Sequence, residues 1–560
     1  MNIHLHFFDK GQWTHSGNTY LRGNNIIKDH TRANDQTLAG LIQEVSDLES
    51  ACKLNNRLNG LFAWIMSDSK RVFLSADHHR SVPLFYAVRG DEVWISDRTD
   101  WIYRRLPRAM PDDLLASEYL VLGYITGKET LCRDIFQVEA GTVVEVSLKQ
   151  DHADSKQPSI RSKRYFRYVH QYRKASRKQF LHDFDDIVLQ TMQRVTEYAA
   201  GRPIVVPLSG GYDSRLIAIT LSRLEYPDVC CYTYGLQGSK EARISQTIAE
   251  KLNFPWTKVH YTQKKWREWF HNPKRRLYYR QASGLAGIPN IQELVALGEL
   301  KNNHLLPGDA VIVGGHHAMF AGGKGIYDRY AYHDHPEVKE KTIIKHILHY
   351  HYYLWNWSHQ HDTLYPFFRQ RILNRLASLQ TYPDSPSACE SWDYHERQAK
   401  FIIHAGRLYD FFGYDWQMPF CDMDYLHFWL EVPLAYRHDK SLYKQYINSF
   451  SPFEIPGYNP QKMVLSLREK IRNTPVFLPA QRGYQKYIQW NRRKNEYHQH
   501  PMGWYGIINK ADFQGRFTGK ENINSFQSLE LLRSIFENGF LSVDEVLNRS
   551  AVVLQNDPIH

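Results

Sequence analysis

Cysteine is scarce in this sequence, with six residues in 560, and none of them lies in a CxxC pair. So few thiols exclude a disulfide-bonded scaffold. No apolar run approaches the roughly 18 residues that a helix needs to cross a bilayer. The first residues, MNIHLHFFDK, lack the basic and apolar regions of a secretory signal peptide. We therefore expect a cytoplasmic protein with no membrane insertion.

Charge is distributed unevenly along the chain, although the overall composition is that of an ordinary globular protein. Hydrophobic residues make up 42% and charged residues 23%, and a length of 560 residues indicates at least two domains. The formal net charge is +11, and the segment Lys462–Lys494 alone holds nine basic residues against one acid. Such a segment suits an anionic membrane face, a phosphorylated small molecule or plain solvation. Because no RNA- or DNA-binding signature accompanies it, we expect no nucleic acid partner.

The first 150 residues are predicted to be rich in strands. Short apolar or alternating segments broken by Asp, Gly or Pro are typical of strands. These segments are Leu61–Met66, Val72–Ala76, Leu84–Val88, Val93–Ser96 and Thr142–Leu148. The polar stretch Lys149–Lys163 then predicts a linker. We place a domain boundary at its end, which divides the chain into residues 1–163 and 164–560.

After the linker the hydrophobic pattern alternates between helices and strands. Ser176–Ala200 has an apolar face at helical spacing. The strands and helices that follow it are Pro203–Leu208, Arg215–Leu224, Val229–Tyr234, Glu241–Leu252 and Trp256–Tyr261. This alternation predicts a parallel sheet with helices on its faces, and therefore the α/β class. Beyond residue 330 the pattern is mostly helical and rich in aromatic residues.

The turn between the first of these strands and its helix has the chemistry of a phosphate site. Its sequence is Leu208-Ser209-Gly210-Gly211-Tyr212-Asp213-Ser214. Two glycines let the backbone approach a ligand closely, and the N–H groups of the next helix point toward that ligand. The serine hydroxyls are further donors, and a carboxylate such as that of Asp213 suits Mg²⁺. The turn has neither the G-x-x-x-x-G-K-[ST] nor the G-x-G-x-x-G pattern.

SGGYDS at the end of a strand resembles the pyrophosphate loop of the N-type ATP pyrophosphatases, and the chain most resembles the asparagine synthetase family among them. The resemblance covers nearly the whole length. Its further segments are Asn59–Tyr86, Thr130–Gly141, Tyr232–Gly235 and Glu396–Asp422, which ends in DWQMPFCD where the family has E-x-R-x-P-F-L-D. It implies a β-rich, Ntn-hydrolase-like glutaminase-type domain over 1–163. A parallel α/β ATP-pyrophosphatase domain with a mostly helical C-terminal part would follow over 164–560.

The resemblance implies a reaction that uses ATP and Mg²⁺, in which a substrate carboxylate is adenylated and pyrophosphate leaves. The residues expected to bind the nucleotide are Leu208, Ser209, Gly210, Gly211, Asp213, Ser214, Tyr234 and Gly315. Asp213 would also bind the metal ion.

The amino terminus departs from the family pattern. The family's glutaminase uses a cysteine that follows the initiator Met, whereas position 2 here is Asn2 and the first cysteine is Cys52. The resemblance therefore implies a glutaminase-type domain that has lost its nucleophile, and no hydrolysis of glutamine.

A second departure lies in 313–323, where synthetases carry S-G-E-G-x-D-E and a branch encoded among surface-polysaccharide genes carries G-H-S-G-D. Aligned on the Gly-His pair, His316 takes the place of the family's catalytic Glu or Tyr, and a histidine suits a base near neutral pH. Asp415 would orient His316. Lys462, with Lys470 as the alternative, would stabilise the reacting intermediate.

Met319 stands where the family has its second Mg²⁺ carboxylate, and a thioether is too soft to replace it. Either Asp213, the phosphates and water hold the ion, or this copy is catalytically damaged. We expect a carbon–nitrogen ligase of the asparagine-synthetase type that joins a small-molecule or peptide carboxylate to an amine or ammonia. A lasso-peptide-type macrocyclase and a degenerate ATP-binding scaffold are the alternatives, and a homodimer is compatible with each.

Overall fold

The computed structural model describes residues 1–8, 12–28, 31–106, 110–148, 158–317, 338–450, 477–535 and 542–556. Over these residues it is a mixed α/β structure with several sheets and many helices. Within the same ranges, no helix has both the length and the apolar character that a membrane span requires.

Strands dominate the amino-terminal part, as predicted. They are β1 (Asn2–His6), β2 (Thr14–Ser16), β3 (Thr19–Lys28), β4 (Thr31–Arg32), β5 (Leu58–Ser67), β6 (Arg71–Ala76), β7 (Phe85–Arg89), β8 (Glu92–Ser96), β9 (Phe136–Gln137), β10 (Thr142–Leu148) and β11 (Pro158–Arg164). One sheet has the order β1-β8-β7-β9. The other has the order β11-β10-β6-β5-β3-β2, with β4 paired to β3.

The two sheets share one apolar core because their strands alternate between faces. Ile65 and Leu74 of the larger sheet are buried together with Ile95 of the smaller one. On the outer face of the larger sheet, Trp64 packs in a separate core with Ile42. The helices of this part are α1 (Asp35–Gln43), α2 (Leu48–Asn55), α3 (Thr99–Tyr103) and α4 (Asp113–Leu122).

The predicted linker is wrong over its second part. Residues 158–164 form β11, which pairs antiparallel with β10 from Thr142↔Arg164 to Leu148↔Pro158, while residues 149–157 lie outside the described ranges. The strand is polar because it is an exposed sheet edge, and Arg161 forms a 2.8 Å ion pair with Glu145 of β10. Polar, charged side chains on an edge strand discourage further pairing.

The predicted βαβ pattern is confirmed in the second part of the chain. Its elements are α5 (Arg177–Ala199), β12 (Ile204–Pro207), α6 (Tyr212–Arg223), β13 (Val229–Gly235), α7 (Lys240–Lys251), β14 (Trp256–His260), β15 (Val311–Val313) and β16 (Asp415–Gln417). They build a parallel sheet of order β14-β13-β12-β15-β16. Such a sheet binds ligands at the carboxyl ends of its strands.

Helices make up most of the remaining described chain. They are α8 (Gln263–His271), α9 (Pro273–Ala282), α10 (Leu294–Asn302), α11 (Glu340–His351), α12 (His361–Leu373), α13 (Ser385–Asp393), a π-helix (Tyr394–Ile402), α14 (Gly406–Phe412), α15 (Met423–Glu431), α16 (Leu434–Arg437), α17 (Ser441–Phe450), α18 (Phe477–Gln499), α19 (Lys510–Arg516), α20 (Ile523–Ile535) and α21 (Val543–Asn556). The sequence predicts a mostly helical chain beyond residue 330, and the helices from α11 onward confirm this prediction for the described residues.

The π-helix joins the two parts of the molecule through buried charges. Its Lys400 ammonium lies 2.6 Å from the Glu396 carboxylate and donates to the carbonyls of Ile125 and Gly127 at 3.0 and 2.7 Å. Glu396 in turn accepts from the Gly127 N–H at 3.0 Å. Both side chains are 1% exposed, so each charge depends on these partners.

Candidate active site

The turn after β12 presents donors that the fold does not use. Helix α6 begins at Tyr212 with Gly211 as its N-cap, and no side chain of the described residues caps it. The Ser209 and Ser214 hydroxyls lie 3.1 Å apart, and Gly211 N–H donates to Ser209 Oγ at 3.1 Å. An uncapped helix of this length carries partial positive charge at its N-terminus, which favours an anion such as a phosphate. We call residues 208–214 the open turn.

Two glycines are required by close backbone contacts around this turn. A Cβ added at Gly210 would lie 3.2 Å from Glu241 Cα at the start of α7. A Cβ added at Gly315 would lie 3.0 Å from Ser214 N. The loop after β15 is therefore packed directly on the open turn. This contact brings Ser214 and Gly315 together.

Asp213 has an oxygen suited to a cation. Its Oδ1 is buried with no hydrogen-bond partner among the described residues, and the Lys440 ammonium lies 3.7 Å away. Burial, followed by the nearby Asp213 carboxylate, holds the pKa of the Tyr443 hydroxyl well above its ordinary value, and this hydroxyl hydrogen-bonds the Asp213 carboxylate. An under-bonded carboxylate oxygen beside a phosphate-binding turn fits a hard divalent cation. Lys440 could equally meet a phosphate oxygen.

Leu208 and Tyr234 frame the turn on the β13 side. Leu208 is buried, its N–H donates to the Tyr232 carbonyl at 2.8 Å, and its own carbonyl accepts from Ser245 Oγ at 2.7 Å. The Tyr234 ring is half-buried and stacks on Tyr261, with ring centroids 5.3 Å apart. Leu208 thus fixes the backbone, while Tyr234 offers an aromatic surface near the strand end.

His316 follows β15 at the same edge of the sheet. Its Nδ1 is buried with no hydrogen-bond partner in the described part of the chain. Burial lowers the pKa of the ring to about 4, so the imidazole is neutral near pH 7 and keeps a lone pair. A neutral histidine one residue from Gly315, and hence beside the open turn, can accept a proton.

The structure corrects the predicted pairing of Asp415 with His316. Asp415 is the first residue of β16 and pairs with Val311, at the amino end of the sheet, whereas His316 follows the carboxyl end of β15. Its carboxylate instead accepts from Arg202 Nη1 at 2.6 Å and the Tyr198 hydroxyl at 3.1 Å. Because β15 and β16 are parallel, their carboxyl ends lie at the same edge of the sheet. Asp415 lies at the opposite edge, so the length of the strand separates it from His316.

Lys462, Lys470 and Met319 lie outside the described residues, as do residues 462–476, the first part of the basic segment. Their predicted roles stay predictions.

A buried carboxylate near His316 escaped the sequence analysis. Glu293 is 4% exposed and accepts from the hydroxyls of Tyr232 at 3.0 Å and Tyr409 at 2.9 Å. Burial raises the pKa of this carboxyl to about 6. A Cβ added at Gly314, two residues before His316, would lie 3.6 Å from Tyr409 Oη. The local sequence gave no signal for this cluster, because its members are more than 60 residues apart.

A comparison with known protein families matches the segment of the chain that contains the open turn. A family model described as asparagine synthase matches residues 188–455. No curated protein gives a significant match.

Several solved structures are similar to this chain at low sequence identity. The NH3-dependent NAD synthetase from Campylobacter jejuni, in complex with nitrate, is 12% identical, with a TM-score of 0.19 over 40% of this chain and 94% of that one. The glutamine phosphoribosylpyrophosphate amidotransferase from B. subtilis, complexed with ADP and GMP, is 10% identical, with a TM-score of 0.18 over 54% of this chain and 63% of that one. Scores this low do not by themselves establish a shared fold. The residues that match the asparagine synthase model, 188–455, contain the open turn and His316, and over this segment the chain is similar to that family.

Proposed function

We propose that the chain is an ATP-dependent carbon–nitrogen ligase that adenylates a carboxylate and transfers an amine or ammonia to it. The observation that carries the proposal is the open turn, whose uncapped helix N-terminus and paired serines lie within the asparagine synthase match. Such a turn binds the phosphates of a nucleotide. Release of pyrophosphate and AMP then follows from the chemistry of adenylation.

The residues around the turn have distinct roles in this proposal. Asp213 would hold Mg²⁺, which supplies charge neutralisation for the phosphates when bound. Lys440 adds a second positive charge at the same place. Tyr234 is the surface against which the adenine rests. Gly210 and Gly315 permit the close approach of the backbone.

His316 is the proposed base for the second step. Because its ring is neutral near pH 7, it can take a proton from the attacking amine as the C–N bond forms and AMP leaves. Lys462 is proposed to neutralise charge that develops on the reacting carbonyl. Asp415 has no place in this mechanism.

The amine is proposed to come from another source than glutamine. Asn2 begins β1, and its amide donates to the Glu92 carboxylate at 2.6 Å. An amide is not a nucleophile, so the amino-terminal part would support no glutaminase reaction. Incubation with glutamine should release glutamate only at background rate.

Hydroxylamine trapping tests the proposed function with any carboxylate that the chain accepts. The full chain is incubated with Mg-ATP, hydroxylamine and separate pools of amino acids, sugar acids and peptides, and pyrophosphate, AMP and hydroxamate are measured. We expect equal amounts of all three with at least one pool, because hydroxylamine captures an acyl-adenylate. ATP binding with no pyrophosphate release from any pool would contradict the proposal and favour the scaffold.

A further inference from the structure

A second cluster of chemically capable side chains lies between the two parts of the molecule. His79, His317 and Cys421 each place one ligand atom within 4.8 Å of the other two, and all three residues are buried. They come from the turn after β6, the loop after β15 and the short turn Pro419–Cys421 that follows β16. The chain thus converges from three distant segments on a single point.

The hydrogen bonds of His79 leave a lone pair available to a ligand. Its Nε2 lies 2.6 Å from the Cys421 carbonyl oxygen, which can only accept, so Nε2 carries the proton. The Nδ1 atom then has the lone pair and lies 3.0 Å from the Tyr394 hydroxyl, which donates its proton to the His78 carbonyl at 3.0 Å. Histidines that bind metals commonly donate their other N–H to a backbone carbonyl or a carboxylate in this way.

His317 adopts a backbone conformation that non-glycine residues avoid. Its φ is +73°, in the left-handed region, where a side chain costs free energy. The ring lies edge-on to His79, with centroids 5.0 Å apart, and the Gln398 side chain hydrogen-bonds it. A strained residue held in this way indicates that the position of its side chain matters.

We propose that His79, His317 and Cys421 form a binding site for a Zn²⁺-type transition metal ion, with the Tyr394 hydroxyl as a further oxygen donor. Thiolate and imidazole ligands select zinc-like ions over Mg²⁺. On binding, the S–H bond of Cys421 breaks, a sulfur–metal bond forms, and one proton leaves to solvent.

Two carboxylates lie next to the proposed ligands. Asp77 accepts from the His79 N–H at 2.7 Å, and Asp422 follows Cys421 directly in the chain. Carboxylates at these positions help to offset the positive charge that a divalent ion keeps after one thiolate has bound it. The bound ion would tie the amino-terminal part to the loop that carries His316, which precedes His317 directly.

Metal analysis of the full chain, produced without a polyhistidine tag, tests the site. We expect about one zinc ion per chain after dialysis. After chelation and reloading with Co²⁺, we expect the sulfur-to-cobalt charge-transfer band of a thiolate ligand. Less than a tenth of a metal ion per chain, with no saturable uptake of Zn²⁺ or Co²⁺, would overturn the proposal. Cobalt binding without the sulfur band would overturn it as well.

Two cysteine variants locate the ligand. Cys421→Ser should abolish the charge-transfer band and lower zinc affinity at least tenfold, whereas Cys389→Ser, at a site of nearly equal burial, should change neither. An unchanged band in folded Cys421→Ser would contradict the assignment. If that variant does not fold, the metal content and cobalt spectrum of the unmodified chain decide the question alone.

Discussion

Two turns at strand ends, one in each part of the molecule, use the same residue types in opposite ways. In residues 77–81, which follow β6, the Asp77 carboxylate accepts from the N–H groups of Phe62 at 2.8 Å, His79 at 2.7 Å and Ser81 at 3.2 Å. The Ser81 hydroxyl is a fourth donor to the same group. We call this the filled turn, because its carboxylate is fully bonded and wholly buried.

The open turn satisfies fewer of the corresponding groups. Its serine hydroxyls bond mainly to each other and to the turn itself, the start of α6 has no side-chain cap in the described structure, and Asp213 Oδ1 accepts no hydrogen bond from the described residues. Buried polar groups are normally paired within the fold. We infer that an acid saturated by the fold maintains structure, whereas an acid oxygen left without a hydrogen bond beside a helix N-terminus is available to a ligand.

The sharpest test of this contrast is His316, which lies beside the open turn. His316→Ala should slow amide formation by about 10²–10⁴-fold while exchange of labelled pyrophosphate into ATP survives. Because burial lowers the pKa of His316 to about 4, the rate in the unmodified chain should be flat near pH 7 and fall as the pH drops through about 4. Loss of exchange together with amide formation would place His316 in nucleotide binding instead.

The filled turn should respond through stability. Asp77→Ala leaves three buried N–H groups without a hydrogen-bond acceptor. It should lower the free energy of unfolding by about 3 kcal/mol, measured in urea. Asp47→Ala is the matched control, since Asp47 is an exposed carboxylate that only caps the start of helix α2 and its loss should lower the free energy of unfolding much less. Equal costs would show that Asp77 contributes no more to stability than an ordinary helix cap does.

The open turn should respond through binding. Asp213→Asn should weaken Mg-ATP roughly 100-fold in titration calorimetry, yet alter metal-free ATP little, because the amide is a poor ligand for Mg²⁺. Asp415→Asn serves as the control, with a similarly exposed carboxylate at the other end of the sheet. Equal affinities of the Asp213 variant and the unmodified chain for Mg-ATP would remove Asp213 from the metal site.

Like the acid of the filled turn, the Glu293 carboxylate accepts hydrogen bonds, here from two hydroxyls, yet its burial makes it costly to ionise. Its pKa in the fold is about 6, above the ordinary 4.5, so its contribution to stability is present below about pH 4.5 and is lost as the pH rises through 6. Glu293→Gln should therefore gain at most about 2 kcal/mol near neutral pH and nothing in acid. A change in stability of Glu293→Gln that is the same at every pH would contradict this account.

The smallest effect is expected at Asp415. Asp415→Asn weakens a half-exposed ion pair with Arg202 and should cost at most about 1 kcal/mol, measured by denaturant unfolding. Product formation, assayed once a substrate is known, should match the unmodified chain. A selective loss of amide formation in this variant would restore the link between Asp415 and His316.

Periodicity was enough to predict the elements from β12 to β14, because each is long and alternates clearly between apolar faces. The three-residue strands β15 and β16 are too short to have a period, so the sequence analysis did not identify them. The exposed edge strand β11 has the polar composition of a linker, which is why the sequence predicts one there.

The candidate site could be predicted from the sequence only where its residues are consecutive in the chain. The open turn is such a case, since its glycines and serines are adjacent. Asp415 was misplaced because a motif gives a residue type but not the end of the strand on which it lies. Lys440, Glu293 and the cluster of His79, His317 and Cys421 arise from contacts between distant segments, which no local pattern encodes.

The buried Lys400–Glu396 pair also limits how modular the chain can be. Its hydrogen-bond partners at Ile125 and Gly127 belong to the amino-terminal part, while the charges themselves belong to the other. Removing the first part would leave an ammonium and a carboxylate without those backbone partners in a newly exposed apolar surface. Truncation or domain exchange that removes this contact should therefore give a chain that does not fold.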